Sequence, residues 1–490
     1  MSMIYDKTPS YWCTWCTQNR AGEAENAEVK KNYPAVFLGD QGAQFARATM
    51  NEDSIFRKGG WADYFPEIRG NLIFLLDDGW DVPYGIHPDK NRKMFGSLIL
   101  DEQRFPSFKG DNKTRLKKLS DAIVARGWRG LGIWVAAQMC GDDGSMPFDV
   151  EKNERYWTER VEESKFAGIK YWKVDWGARD YCAEFREMLT RLAKEIYPDL
   201  IVEHAVCQGP INGFGSNNKN LAGRYLGDEV QIRLTDVLLP FSDVFRSYDV
   251  IEYTSEVTTL DRLSYILKHA KGLVNAEDEP YIAASLGCAN GVMRSPAGKG
   301  IKPDCDRLDE TVASVRFQRE APAFGGGTIS EPDELLADTR TIPDTWFAPA
   351  LGKKITQYAP AVIARNTSVP QVIGERKPFV TCCGFDGKAY AVATHKRNVD
   401  DGPSEDCSVI CDNIGAPEKI GVFGRYKSLE LVPYRKIESA VIRSLFDDRT
   451  EQIEITDDSR ICLSAQTINS FASEKDNSLP AFVIDVRYKN

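Results

Sequence analysis

Along the first two thirds of the chain, short solid apolar blocks alternate with longer stretches in which apolar residues recur every three or four positions. NLIFLLDDGW (71–80) is a short apolar run ending in polar residues; KTRLKKLSDAIVARG (113–127) follows at helical period and stops at glycine. LGIWVAAQ (131–138) predicts a buried strand, NERYWTERVEESKFAG (153–168) a helix, and KYWKVDW (170–176) the next strand. AEFREMLTRLAKEIYP (183–198) predicts a helix closed by proline, and LIVEHAV (200–206) and DVFRSYD (243–249) predict strands, with TTLDRLSYILKHAKGL (258–273) as a helix behind them. Such alternation implies a parallel sheet with right-handed crossovers. With YWCTWCTQ (11–18) as the first strand and weaker runs at YIAASLG (281–287) and PAFGGG (322–327), eight strands are counted. The expected fold is a (β/α)8 TIM barrel rather than an open dinucleotide-binding sheet, since no GxGxxG follows a strand.

Beyond about residue 365 the pattern changes. FVTCCGFDGKAYAVATHKR (379–397) reads as two strands around an Asp-Gly turn, and KIGVFGRYKSLELVPYR, IEITDDSRICLSA and PAFVIDVRY read as further strands without an intervening helix. A chain of 490 residues exceeds one ordinary core. The expected division is a catalytic barrel at 1–365 and a C-terminal antiparallel β-sandwich at 366–490.

Composition narrows the function. A net charge of −10 argues against nucleic acid and anionic membrane partners, which demand clustered cations. No apolar run approaches the roughly 18 residues of a membrane span. MSMIYDKTPSYW shows no basic region followed by an apolar stretch, so a cytoplasmic location is expected. Twelve cysteines are too dilute for a disulfide-stapled fold; Cys13 and Cys16 form a CxxC that nothing completes, and the four histidines form neither HxH nor HExxH. No metal and no cofactor is expected. The chain is compatible with a homo-oligomer.

In a barrel of this type, chemistry sits at the C-terminal ends of the strands. Those ends carry Trp15; Asp77, Asp78 and Trp80; Lys173 and Asp175; His204 and Cys207; and Arg246 with Asp249. Carboxylates, cations and indoles converging on one mouth suit a neutral, hydroxyl-rich ligand with an apolar face. Ten tryptophans and 19 tyrosines fit such a partner, a carbohydrate, through stacking on sugar rings. Two carboxylates on different strands are what glycosidic cleavage needs. Asp175, two residues from Lys173, stays ionised and fits a nucleophile; Asp249 would need a raised pKa to act as the acid. The plainer readings are that a strand-end Asp caps a helix, that Asp-Gly is a turn, and that Arg246 pairs locally with Asp249.

Taken in order, these motifs resemble the retaining α-galactosidase group, glycoside hydrolase families 27 and 36 of clan D. WCTW (12–15) is similar to the family's WxxW, LLDDGW to its DDGW, RFPSFKG with LKKLSDAIVARGWRGLGIW to its FP…GxW stretch, WKVDWG to its KxD nucleophile strand, and FRSYD to RxSD. The resemblance spans roughly residues 10 to 255 and implies Asp175 as nucleophile and Asp249 as general acid/base. It also implies sugar binding by Asp77 and Asp78 (O4 and O6), Lys173 (O2 or O3), Arg246 (near O2) and Trp15, with Trp80, Trp134 and Cys207 in the same pocket. Tyr248 stands where serine is usual, no cysteine follows the nucleophile, and the Gly- and Asn-rich stretch from Cys207 lies where the family sets selectivity at C2. The expected activity is a retaining exo-glycosidase, foremost an α-galactosidase. α-N-Acetylgalactosaminide, β-L-arabinopyranoside or α-glucoside hydrolysis, transglycosylation and a non-catalytic carbohydrate-binding barrel remain as alternatives.

Overall fold

The computed structural model describes residues 7–32, 40–86, 92–205, 229–247, 256–294, 296, 308–341, 354–395, 397, 407–456, 458–475 and 478–489. Eight parallel strands form the N-terminal sheet: β1 (Tyr11–Cys13), β2 (Ile73–Leu76), β3 (Gly130–Val135), β4 (Tyr171–Val174), β5 (Ile201–His204), β6 (Val244–Arg246), β7 (Leu273–Asn275) and β8 (Gly291–Val292). Each strand pairs with its sequence neighbour, and β8 pairs with β1. A parallel bridge between Asn275 and Ala289 joins β7 to the segment entering β8, which closes the sheet into a (β/α)8 barrel. No helix among the described residues is long and apolar enough to cross a membrane.

Strand alternation sorts the side chains. Trp12, Phe74, Leu76, Leu131, Ile133, Val135, Trp172, Val174 and Val202 face outward into the apolar layer beneath the helices. Two of the helices that seal that layer have starts fixed by acid caps. Asp111 accepts from Thr114 N at 3.1 Å ahead of Asn112–Ala125, and Asp149 accepts from Lys152 N at 3.0 Å ahead of Val150–Ala167. The other set of positions points into the barrel. It carries the polar Tyr11, Tyr171, Lys173, Glu203, Arg246 and Asn275 alongside the apolar Ile73, Leu75 and Trp134.

Three sequence expectations are corrected. YIAASLG is not a strand but the helix Pro280–Leu286, started by proline and stopped at Gly287, whose φ of 62° suits a residue without Cβ. PAFGGG forms no strand; β7 and β8 are the three- and two-residue pieces LVN and GV, too short to show a period. The first strand ends at Cys13, and Trp15 opens the helix Trp15–Glu25.

The C-terminal strands build a sandwich. An eight-stranded sheet runs in the order Thr450–Ile453, Ile437–Ser444, Ala481–Tyr488, Lys419–Phe423, Ala389–His395, Phe379–Phe385, Val362–Arg365, Ile329–Ser330. A four-stranded sheet, Gln371–Ile373, Ser408–Asp412, Ser428–Val432 and Ile461–Ser464, faces it across a core that includes Val392, Val409, Ile420, Leu431 and Phe482. The Asp-Gly turn is present, with φ of 47° at Asp386 and 71° at Gly387. Three pairings run parallel within an otherwise antiparallel arrangement, a short helix spans Ala465–Asn469, and the sheet already begins at Ile329, ahead of the expected boundary at 365. Tyr281, Ala284 and Phe317 of the last barrel helices pack on Cys383, Ala391 and Phe423 of the larger sheet.

Candidate active site

The C-terminal end of β4 delivers two charged side chains inward, Lys173 and, one alternation later, Asp175. The backbone at Asp175 is held from both sides: its N–H donates to Val135 O at 3.0 Å, and the buried Arg186 donates to its carbonyl at 2.8 Å. Its Oδ2 accepts from Trp134 Nε1 at 3.2 Å, while Oδ1 lies 3.2 Å from Arg246 Nη2 and Oδ2 lies 4.0 Å from Lys173 Nζ. Burial works against the charge, but Arg246, Lys173 and the Trp134 hydrogen bond outweigh it and hold the carboxyl below the ordinary aspartate range. Asp175 is 9% exposed, against 3% for Asp77, 2% for Asp78, 3% for Glu277 and 0% for Glu203. Of the carboxylates in this group it is the most exposed.

Asp77 and Asp78 leave β2 in opposite directions. Asp77 points inward, where Oδ2 accepts from Lys173 Nζ at 2.7 Å and from Cys13 Sγ at 2.9 Å, and Oδ1 accepts from Asp78 N at 2.8 Å. Asp78 turns toward the helix Asp40–Thr49, where one edge of Arg47 donates to both its oxygens, Nε to Oδ1 at 2.9 Å and Nη2 to Oδ2 at 2.7 Å. Both acids expected to bind sugar hydroxyls are thus engaged by cations of the chain itself. Lys173 is pushed well above the usual lysine range, because Asp77 and then Cys13 outweigh the effect of burial.

The indoles divide as well. Trp134 is fully buried yet reaches Asp175 through its N–H. Its ring packs 5.7 Å from Trp176 and 6.0 Å from Phe95 in a small apolar cluster beside the carboxylate. Trp80 has no exposure and donates to Trp134 O at 3.0 Å, which makes it a prop for that indole and leaves it no face for a ligand. Trp15 is 7% exposed, at the start of its helix. His204, read at the mouth, instead faces the helix Ala183–Ile196, where its Nε2 is 2.8 Å from Thr190 Oγ1; burial, then Arg186, keeps it neutral. Asp249 and Cys207 lie outside the described residues.

Arg246 has no exposure and sits among three carboxylates: Asp175, Glu277 (Oε2 to Nη1, 3.1 Å) and Glu203 (3.6 Å from Nε). Burial alone would weaken its charge, but Asp175 and Glu277 foremost, then Tyr11 and Glu203, raise its pKa well above the usual value. Glu203 in turn accepts from Tyr11 (3.2 Å), Tyr171 (2.8 Å) and Asn275 (2.7 Å). Sequence reading passed over Glu203 and Glu277. The signal for Glu203 was available, a carboxylate at an inward position of an apolar strand; Glu277 was hidden because β7 itself went unrecognised. Arg47, on a helix remote in sequence, left no trace.

No protein-family model and no curated protein matches the chain. Solved structures do. A candidate alpha-galactosidase/melibiase from Bacteroides fragilis NCTC 9343 matches over 99% of this chain and 81% of its own, with a TM-score of 0.38 and 9% identity. A family 27 β-L-arabinopyranosidase from Geobacillus stearothermophilus, solved with arabinose, matches over 99% and 98%, with a TM-score of 0.39 and 9% identity. An alpha-amylase from Geobacillus thermoleovorans, complexed with acarbose, matches over 88% and 91%, with a TM-score of 0.34 and 11% identity.

Among the described residues, no three His, Cys, Asp or Glu side chains gather as a metal ion would require. What the site offers is an ionised carboxylate at the rim of a barrel, fixed in orientation and backed by two buried cations.

Proposed function

We propose that the chain is a retaining exo-glycosidase of the α-galactosidase type, acting on a glycoside or oligosaccharide. One observation carries the reading: Asp175 is ionised, held by Trp134 and Arg246, and more exposed than Asp77, Asp78, Glu203 and Glu277. In this reading Asp175 attacks the anomeric carbon while Asp249 protonates the departing oxygen. The C1–O bond breaks and a C1–Oδ ester forms. Asp249 then takes a proton from water, which attacks C1 and frees Asp175. The Asp77–Lys173 pair presents an acceptor and a donor side by side, the arrangement a sugar hydroxyl needs on its two sides.

Screening nitrophenyl glycosides that differ at C2 and C4, with Asp175→Asn as control, tests the reading. The parent protein hydrolyses at least one α-glycoside, and the variant retains under about 1% of that rate, a loss of more than about 2.7 kcal/mol of transition-state stabilisation. Undiminished turnover in the variant would remove Asp175 from the chemistry.

A second reading is a carbohydrate-binding barrel without turnover. The observation favouring it is that both oxygens of Asp175 are already engaged, Oδ1 by Arg246 and Oδ2 by Trp134. Calorimetric binding of a sugar that the protein never cleaves would select it.

A further inference from the structure

The loop after β7 places a carboxylate that the reading above leaves without a role. Asn275 points into the barrel, bonded to Tyr11 and Glu203; Ala276 points out into the apolar layer; Glu277 points in again, one alternation further along, and meets the same guanidinium that Asp175 meets. Its position is not a loose one. Asp278 adopts φ of 55°, its N–H donates to Gly291 O at 2.9 Å, and its Oδ1 accepts from Met293 N at 2.8 Å and Arg294 N at 3.3 Å. The turn is therefore riveted to the end of β8, and Glu277 is 3% exposed.

The guanidinium of Arg246 divides its edges among three acids. Glu203 already has Tyr11, Tyr171 and Asn275 as donors, so the group that competes with Asp175 for Arg246 is Glu277. A carboxylate gripped on both oxygens by one guanidinium is a stable ion and a poor nucleophile, because the pairing must be undone before a lone pair can attack. With Nη1 bonded to Glu277, Arg246 meets Asp175 through Nη2 at one oxygen.

Resting on the glycosidase reading, we propose that Glu277 is a positioning residue for the reaction at Asp175, acting through Arg246: it takes one edge of the guanidinium, so that Arg246 fixes the nucleophile at one oxygen without clamping it on both. Lys173, Arg186 and Arg246 lie against Asp175 as cations, with the acids Asp77 paired to Lys173 and Glu203 and Glu277 paired to Arg246. Asp78 adds its field from behind Asp77. Neutralising Glu277 removes a negative charge from this set and releases the pull of Arg246, so Asp175 must titrate at lower pH.

Carboxyl 13C NMR of aspartate-labelled protein, with the Asp175 signal assigned by its loss in Asp175→Asn, reads this directly. In Glu277→Gln the midpoint falls by about one pH unit, and in Glu277→Asp, where the charge is withdrawn by one methylene, by about half as much. On the activated glycoside the acid limb of kcat/KM moves with the titration, and kcat drops about tenfold while KM stays within about twofold. A midpoint within about 0.2 unit of the parent's in Glu277→Gln overturns the proposal, and should that variant not fold, an unmoved midpoint in Glu277→Asp does so. A parent protein that cleaves no glycoside would refute the glycosidase reading, while the NMR titration would still decide whether Glu277 governs Asp175.

Discussion

Replacing Lys173 with methionine isolates the pair on which the floor of the site is built. Lys173 Nζ lies 2.7 Å from Asp77 Oδ2 and 4.0 Å from Asp175 Oδ2, and its side chain is 1% exposed. With an effective dielectric constant of about 20, those separations correspond to about 6 and about 4 kcal/mol of attraction, much of it offset by desolvation of the ions. Methionine keeps the length of the stem and removes the charge, leaving Asp77 buried opposite Cys13 with no cation. Breaking a buried pair from one side costs about 3–5 kcal/mol, a large share of the roughly 5–15 kcal/mol that stabilises a folded domain. Urea unfolding followed by circular dichroism, on the parent, Lys173→Met, Asp77→Asn and the double variant, gives the pair term by a double-mutant cycle. The expected coupling is at least about 2 kcal/mol, with the double variant less damaged than the sum of the singles. A loss below about 1 kcal/mol in Lys173→Met, the value of an exposed bridge, would refute the description of this pair as a buried support.

Trp134→Phe keeps the ring and removes the N–H that meets Asp175 at 3.2 Å. Loss of a hydrogen bond to a charged group, about 1.5–3 kcal/mol, lowers kcat at least about tenfold and moves the acid limb of the pH profile upward, whereas an unmoved limb would deny the contact. Because Asp175 ionises below the ordinary aspartate range, its contribution to stability is fully present above the unfolded value of about 3.9 and is lost as pH falls through the lower folded value. Acid unfolding of Asp175→Asn therefore shows a weaker pH dependence below about pH 4 than the parent, and identical curves would contradict the assigned shift. A Cβ at Gly177 would stand 2.7 Å from the backbone of Ala137, whose N–H bonds Trp176 O at 2.9 Å. Gly177→Ala forces the ends of β3 and β4 apart, costing about 1–3 kcal/mol on unfolding and displacing Asp175; a variant with unchanged stability and turnover would show that this close approach is not needed.

Strands β2 to β6 were readable because each lies in a mostly apolar block of three to six residues, and stretches of helical period follow β2, β3, β4 and β6. The same logic failed at β7 and β8, where two or three residues carry no pattern, and at YIAASLG, where a helix buried on every side has no polar face and imitates a strand. WCTW misled for a related reason: a three-residue strand turns directly into a helix at Trp15, and the apolar run continues across the junction. Placing Asp175, Lys173, Asp77 and Arg246 at strand ends followed from the alternating order of strands and helices, whereas Trp134 entered only with the resemblance. What occupies them did not. That Asp78 would be taken by Arg47, and that Arg246 would be shared with Glu203 and Glu277, depends on which helix and which turn pack beside each strand, and those contacts lie 31 to 43 positions away in the chain.

The account turns on a covalent bond at one atom. Incubation with a 2-deoxy-2-fluoro glycosyl donor of the cleaved sugar slows release of the intermediate, and peptide mass mapping then locates the label. One fluorosugar on the peptide carrying Asp175, absent in Asp175→Asn, is the predicted result. A label on another carboxylate, or product of inverted configuration with no label at all, would contradict it.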